Sequence, residues 1–341
     1  MSKKPPEAAS GQPLPGQADR LLRQLEWHVI RRLDGLLQGD YRTLVRGSGL
    51  DLADLREYQP HDDVRHIDWN VTARLNAPHV RVFTEDREMS AWFLLDLSPS
   101  IHFGPPGHAK RDILTGLVAV LARLLTRHGN RVGAMLYGAG GAYGATSAEG
   151  RSTRAVDAVL PPRSSRAQVL HLMHRLLQPA TGRAAGGTEL GLLLQAGLGG
   201  IRRRSTVFVV SDFISAPGWE KPLAQLAQRH DLVAVRLFDP LELELPDLGL
   251  VLLRDAETGE QLQVDTHDKA FRQRFVRLAA EREAALRAGL AAAGADTLEL
   301  RTDDDLIDAL LRFMDLRQRR AGPRRRAYPP GLRPTTVPAT A

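Results

Sequence analysis

The chain has 341 residues, of which 43% are hydrophobic and 25% are charged, a composition that is typical of globular proteins and excludes a disordered or fibrous chain. It contains no cysteine, which excludes disulfides, thiolate catalysis, iron–sulfur clusters and cysteine-bound zinc. The net charge of +6 would favour a nucleic-acid or membrane-surface partner. However, residues 317–341 contain seven arginines and no acidic residue, so residues 1–316 carry a net charge of −1. The body of the chain is nearly neutral, so we expect no specific nucleic-acid partner.

The two ends of the chain differ in pattern from the middle. Residues 1–20 and 317–341 are rich in Pro, Gly, Ala and Arg without apolar periodicity, and we predict two flexible tails there. Residues 21–88 form an N-terminal segment in which 21–37 has helical spacing and a β-rich region follows, with 80–84 extended. No secretory signal and no apolar run of membrane-spanning length is found, so we expect a cytoplasmic protein with no membrane span.

From residue 89 to 316, strands and helices alternate. Buried strands are predicted at 91–95, 131–137, 206–210, 232–238 and 297–300, with a hairpin over 250–264. Helices are predicted at 108–128, 165–177, 189–201, 219–229, 268–293 and 303–314. Apolar strands separated by helices predict an α/β domain with a doubly wound, mostly parallel sheet flanked by helices. Ligands of such sheets bind at the carboxyl ends of the strands.

Oxygen-bearing side chains follow the predicted strands at that edge. The first central strand continues into Asp96, Ser98 and Ser100, in a D-x-S-x-S pattern, and the third buried strand continues into Asp212. Thr188 follows two glycines and opens a helix between them. Carboxylates and hydroxyls are hard ligands that suit an octahedral divalent cation such as Mg²⁺. The pattern therefore predicts a metal site formed by these five residues.

This set of residues resembles the metal-ion-dependent adhesion site of von Willebrand factor A-type domains in residue type, order and position. The resemblance implies that the serines and the threonine contact Mg²⁺, with Mn²⁺ or Ca²⁺ as alternatives, and that the aspartates act directly or through water. It also implies that an acidic side chain of a protein partner fills the open coordination position. The alternative without a metal is that the serines cap the following helix and Asp212 completes a turn.

The segment before the sheet narrows the resemblance to one family. It contains GLDLADLREYQP at 49–60 and RHIDW at 65–69, and later matching stretches are DLVAVR at 231–236 and TDDDL at 302–306. These stretches are similar to the bacterial family called domain of unknown function 58, over about 42–314. That resemblance implies a partner, a MoxR-type AAA+ ATPase, and a chaperone-like role in assembling or maturing other proteins. Many relatives begin with transmembrane helices, which this sequence lacks.

Three interpretations of the stretch from 56 to 69 remain open. One is a second metal site with His61, Asp62 and His66 as ligands. The second, which we favour, is a buried polar network in which arginines pair with carboxylates above a packed tryptophan; its members are Arg56, Arg65, Arg74 and Trp69. The third is a surface on which a partner docks.

The enzyme hypotheses are less well supported by the sequence. Ser98 and Ser100 lie near His102, but no G-x-S-x-G elbow accompanies them, which argues against a serine hydrolase. The glycine run at 138–144 lacks the Lys-Ser/Thr of a phosphate loop. A Mg²⁺-dependent phosphatase or other hydrolase using the same five residues remains the alternative. We predict a non-enzymatic, metal-dependent interaction module.

Overall fold

The computed structural model describes residues 17–25, 49–60, 62–64, 67–86, 89–105, 107–138, 156–178, 188–256 and 259–321. The strands are β1 (Gly49–Glu57), β2 (His79–Asp86), β3 (Ser90–Asp96), β4 (Arg131–Tyr137), β5 (Ala158–Arg163), β6 (Thr206–Ser211), β7 (Asp231–Phe238), β8 (Leu250–Arg254), β9 (Gln261–Asp265) and β10 (Asp296–Arg301). The helices are α1 (Gln17–Leu25), α2 (Trp69–Leu75), α3 (Lys110–Arg127), α4 (Arg166–Leu177), α5 (Leu190–Gly200), α6 (Glu220–Arg229), α7 (Lys269–Ala292) and α8 (Leu306–Ala321).

Six strands form the central sheet, in the order β10-β7-β6-β3-β4-β5. All neighbouring pairs are parallel except β4 and β5, which are antiparallel. From β3 the chain first builds outward to β4 and β5, and it then returns to the other side of β3 with β6. The order of the strands therefore reverses between β3 and β6, and this switch point is where open α/β sheets bind their ligands.

Helices cover both faces of this sheet because its inner strands are apolar at successive positions. On one face, Phe93 of β3 stacks on Phe208 of β6 with ring centroids 5.2 Å apart, and the core continues into α3, α4 and α8. On the other face, Leu94 of β3 packs in a second core with α5, α6 and the end of α7. Burial of both faces stabilises the strands by about 25 cal/mol per Å² of apolar surface. The predicted doubly wound, mostly parallel sheet is confirmed and is consistent with a von Willebrand factor A-like fold.

The antiparallel edge strand β5 was not predicted from the sequence. Pro161 and Pro162 lie within it, and proline removes a backbone donor that a central strand needs. An edge strand has one side without strand partners, so two prolines are tolerated there. The predicted hairpin is confirmed as β8 and β9, which pair with each other in a separate two-stranded sheet.

The last helix extends beyond the predicted boundary at residue 316. α8 continues to Ala321, and Arg317 is only 2% exposed. Its guanidinium contacts Asp296 at 2.9 Å and also Asp231, so this arginine belongs to the folded domain. The start of the predicted flexible tail is therefore wrong by at least five residues, because the pattern of charges does not reveal the carboxylates that pair with an arginine. Residues 322–341 lie outside the described residues.

The N-terminal segment contains the predicted small β-rich element. β1 and β2 form a two-stranded antiparallel sheet, and α2 lies between them in the chain with no buried residue. α1 begins at residue 17, before the predicted start of its helix, and residues 26–37 of that prediction lie outside the described residues. Within the described part of the chain, no helix is long and apolar enough to cross a membrane.

The favoured interpretation of the stretch from 56 to 69 is only partly correct. Arg56 donates to both oxygens of Asp62, one of them at 2.7 Å, so one predicted ion pair is present. Trp69, however, is 70% exposed, so its predicted packing beneath the network is wrong. Arg74 is also exposed. His61, Arg65 and His66 lie outside the described residues, so the second metal site stays a prediction.

Candidate metal centre at the sheet switch point

The candidate site begins where β3 and β6 end side by side. In the parallel register, Leu95 of β3 is paired with Val210 of β6, so the next residues, Asp96 and Ser211, meet at the carboxyl edge. The Ser211 hydroxyl donates to Asp96 Oδ2 at 2.7 Å. Both residues are completely buried. This contact fixes the Asp96 carboxylate at the switch point.

The loop after β3 brings two hydroxyls beside Asp96. The backbone N–H of Ser98 donates to Asp96 Oδ1 at 3.0 Å, and the Ser98 and Ser100 Oγ atoms lie 3.2 Å apart. Pro99 begins a short 3₁₀ helix, Pro99–His102, that holds Ser100 in place. Both serines are buried. The D-x-S-x-S pattern therefore folds into one compact group of oxygen atoms.

Gly138, at the end of β4, supports this loop from the neighbouring strand. The N–H of Leu97 donates to the carbonyl of Tyr137 at 2.7 Å. Gly138 has φ of +80°, and a Cβ at this position would lie 2.6 Å from the Ser98 nitrogen. Only glycine allows this approach without a shift of the serine loop. In the sequence this glycine is evident only as the start of the glycine run at 138–144, and nothing there indicates its contact with the serine loop.

Asp212 follows β6 directly and is held from two sides. Its Oδ1 accepts from the N–H of Ile214 at 3.0 Å, and its Oδ2 forms an ion pair with Lys110 Nζ at 2.7 Å. Between them, Phe213 has φ of +58°, a left-handed conformation that is rare for an aromatic residue. This turn directs the Asp212 carboxylate back toward the end of β3, where its charge acts on Asp96.

Thr188 reaches the same loop through its backbone. Its carbonyl oxygen accepts from the Ser215 hydroxyl at 2.9 Å and from the Ala216 N–H at 2.9 Å, and its side chain is buried. The structure therefore anchors Thr188 to the segment that follows Asp212. The two glycines that precede Thr188 in the sequence lie outside the described residues.

Lys110 and Glu242 extend the group beyond the predicted residues. Lys110 Nζ lies 2.6 Å from Glu242 Oε1 in addition to its contact with Asp212, and the side chains of Lys110 and Asp212 are 0% exposed. With all groups ionised, the three carboxylates and one ammonium carry a net charge of −2. Burial and the charge of Asp212 raise the pKa of Asp96 to about 6, and burial likewise raises the pKa of Glu242. The site is thus deficient in positive charge.

The donor atoms fit a small divalent cation. The Ser98 and Ser100 hydroxyls form a hydrogen bond at 3.2 Å, and this separation also suits adjacent ligands of octahedral Mg²⁺, whose bonds of about 2.1 Å place neighbouring ligands about 3 Å apart. A charge of +2 would also neutralise the four ionised groups. Among the described residues, no group of three or more His, Asp or Glu could hold a metal ion. The candidate set relies instead on hydroxyl oxygens together with two carboxylates.

Sequence reasoning missed Lys110, Glu242 and the support from Ser211. One signal for Lys110 was present: the chain has only five lysines among its 46 basic residues, and this one opens a helix next to the D-x-S-x-S loop. The signal for Glu242 was its position shortly after β7, at the carboxyl edge of the sheet. Neither signal specifies a contact across more than 100 residues.

Comparison with known proteins places the chain among uncharacterised relatives. "Uncharacterized protein Rv1480" of Mycobacterium tuberculosis (strain ATCC 25618 / H37Rv) and "Uncharacterized protein Mb1516" of Mycobacterium bovis are each 38% identical over 301 residues, which cover 88% of this chain and 90% of theirs.

Among solved structures, the conserved hypothetical protein BatB from Bacteroides thetaiotaomicron is similar with a TM-score of 0.40 and 14% identity. An aerotolerance-related membrane protein from Bacteroides fragilis is similar with a TM-score of 0.38 and 13% identity. Each match covers 68% of this chain and 99% of the other.

The family model described as "Protein of unknown function DUF58" matches residues 54–285. This range contains β3, β6 and all five predicted site residues. It covers more than half of the chain, and the chain therefore belongs to the DUF58 family.

Proposed function

We propose that the chain is a non-enzymatic, metal-dependent protein-interaction module of the von Willebrand A type. Asp96, Ser98, Ser100, Thr188 and Asp212 would hold Mg²⁺, with Mn²⁺ or Ca²⁺ as alternatives. The observation that carries the proposal is a cluster of three carboxylates around one ammonium, beside the hydrogen-bonded hydroxyls of Ser98 and Ser100. Buried carboxylates without sufficient counter-charge are costly, and a divalent cation would remove that cost.

The chain's own residues define what such an ion could do. The bound ion would supply an electrophilic coordination position that attracts a carboxylate. Ser98 and Ser100 are neutral ligands, so they leave the ion with more positive charge than an all-carboxylate set would. The Ser211 hydroxyl and the Ser98 N–H hold both oxygens of Asp96, which favours a supporting position for this aspartate. An Asp or Glu side chain of a protein partner is the ligand that matches this arrangement.

The partner we propose is a MoxR-type AAA+ ATPase, with which the chain would act in chaperone-like assembly or maturation of other proteins. This step rests on the family resemblance. It agrees with the absence of a phosphate-loop motif from the sequence, because an ATPase partner would then provide the hydrolysis of ATP. A cytoplasmic location follows from the same hypothesis, since these ATPases act on the side of the membrane where ATP is available.

The proposal is tested by capture of the MoxR-type ATPase from the same organism on the immobilised full-length chain. Capture is measured in Mn²⁺, in EDTA and after Mn²⁺ is restored, for the wild type and for Ser98→Ala and Ser100→Ala. The exposed Ser164 provides the matched control, Ser164→Ala. We expect capture to be lost in EDTA, restored by Mn²⁺ and reduced at least about tenfold by each site variant. Equal capture under all conditions would exclude the metal-bridged mechanism.

A Mg²⁺-dependent phosphatase is the alternative function, and the contacts of Lys110 bear on it. A phosphatase at this site would benefit from a cation that holds the phosphate. Lys110 is such a cation, but it is completely buried and is engaged by two carboxylates, which argues against a role in phosphate binding. A screen of phosphate monoesters with Mg²⁺, with Asp212→Ala as the negative control, distinguishes the two functions. Turnover that disappears in this variant would favour the phosphatase.

A further inference from the structure

Lys110 is a buried lysine whose position in the fold is unfavourable for a positive charge. It is the first residue of α3, an 18-residue helix, and the amino end of a helix disfavours a cation. Its side chain is 0% exposed, so the ammonium has also lost its hydration. The contacts at 2.7 Å with Asp212 and at 2.6 Å with Glu242, together with the Phe103 ring, whose centroid lies 5.9 Å from Nζ, offset these costs. An apolar side chain in its place would leave both carboxylates without this buried counter-charge, so the charge of Lys110 itself has a role.

The two partners of Lys110 differ in their relation to the candidate metal centre. Asp212 is one of its five residues, whereas Glu242 lies outside that set, in the 3₁₀ helix Pro240–Glu242 that follows β7. Lys110 therefore connects Asp212, a proposed metal ligand, to Glu242, a carboxylate that contributes only its charge. Without the ammonium, Asp96, Asp212 and Glu242 would carry −3; with it they carry −2, the charge that one divalent cation balances.

We infer that Lys110 is the resident counter-ion of the metal site. Lys110 and Glu242 set the affinity of the site for divalent cations, with opposite effects. The inference rests on the proposed function, because it concerns the affinity of that same centre. Lys110 weakens binding by repelling the incoming ion and by occupying one oxygen of Asp212. Glu242 strengthens binding by adding negative charge near the site. In the metal-free protein, Lys110 partly neutralises the carboxylates around it, so the fold does not depend on the metal.

Two variants test this inference because they change the charge in opposite directions. Lys110→Met keeps the length of the side chain and raises the negative charge to −3, whereas Glu242→Gln keeps the shape and lowers it to −1. Mn²⁺ binding is measured by electron paramagnetic resonance of the free ion, with the full-length chain at pH 7.5. We expect the dissociation constant to fall at least about tenfold in Lys110→Met and to rise at least about tenfold in Glu242→Gln, as one unit of charge acting on a divalent ion predicts. Lys221→Met, at an exposed site on α6, is the control and leaves the constant unchanged.

A purely structural ion pair would behave differently, because loss of either partner would loosen the site and weaken binding in both variants. Shifts in the same direction, or no shift, in proteins that are folded by circular dichroism would overturn the inference. If Lys110→Met folds only in the presence of Mn²⁺ and unfolds in EDTA while the wild type remains folded, the inference is supported. If this variant does not fold under either condition, Glu242→Gln decides alone. Weaker Mn²⁺ binding with an unchanged free energy of unfolding in EDTA supports the inference, whereas unchanged binding, or weaker binding accompanied by a loss of stability, overturns it.

The same titration separates this inference from the proposed function. If the wild type binds Mn²⁺ but the two variants do not shift the dissociation constant in opposite directions, the role of Lys110 is refuted and the metal site is not. Wild-type protein that binds no Mn²⁺ at millimolar concentration refutes the metal site, and the inference fails with it.

Discussion

Replacement of Asp96 by asparagine should stabilise the metal-free protein while it abolishes metal binding. Asp96 is completely buried, and its pKa of about 6 exceeds the ordinary value of 3.8 because of burial and the charge of Asp212. The folded state therefore holds the proton of this carboxyl more tightly than the unfolded state does. The contribution of the Asp96 carboxyl to the free energy of unfolding is fully present below pH 3.8 and is lost as the pH rises through 6. Asparagine has nearly the same shape and never ionises, so Asp96→Asn avoids that loss.

The magnitude follows from the difference between the two pKa values. A difference of about two units at 1.36 kcal/mol per unit predicts that the variant is more stable than the wild type by ~3 kcal/mol at pH 7.5. Integration of the two titration curves predicts a smaller advantage, about half as large, at pH 5. Burial lowers the pKa of His102 and of His230, which destabilises the folded protein on acidification. That effect is common to both proteins and cancels in their difference.

The assay is urea unfolding of the wild type and of Asp96→Asn in EDTA at pH 5 and 7.5, repeated with Mn²⁺. The exposed Asp315 provides the control Asp315→Asn, for which we expect a change below about 0.5 kcal/mol at both pH values. We also expect Mn²⁺ to stabilise the wild type and to leave Asp96→Asn unchanged. A variant that is less stable than the wild type at pH 7.5 in EDTA, or whose advantage does not shrink toward pH 5, would refute the view that Asp96 is held as a strained, uncompensated carboxylate.

Two further substitutions test the packing around the site and the end of the domain. Gly138→Ala should destabilise the protein by at least about 2 kcal/mol in a thermal melt and weaken Mn²⁺ binding, because its Cβ would contact the Ser98 backbone. The control is Gly129→Ala, at a glycine with a similar φ and open space around it, which should cost only about 1 kcal/mol. Equal losses of stability in the two variants would contradict the contact with Ser98. Arg317→Met should lower the free energy of unfolding in urea by about 3 kcal/mol, because two carboxylates lose their buried partner. The control Arg319→Met removes an exposed ion pair and should lower it by less than about 1 kcal/mol. Similar losses of stability in the two variants would place residue 317 in the tail after all.

The local sequence was sufficient to predict the central strands and one half of the site. β3 is apolar at successive positions, and a strand that helices cover on both faces needs apolar side chains at each of them. Asp96, Ser98 and Ser100 follow that strand within five residues, so their proximity is a consequence of chain connectivity. The position of Asp212 could be predicted as well, because parallel strands end at the same edge of their sheet.

Tertiary structure alone decided the electrostatics of the site and the burial of single residues. Lys110 meets Asp212 and Glu242 across 102 and 132 residues of sequence, and no periodicity marks such a contact. Burial also differs from the prediction at two single residues. Trp69 was expected to be packed and is exposed, whereas Arg317 was expected in a tail and is buried. Hydrophobicity and charge describe what a side chain prefers, but its burial also depends on which distant elements pack against it.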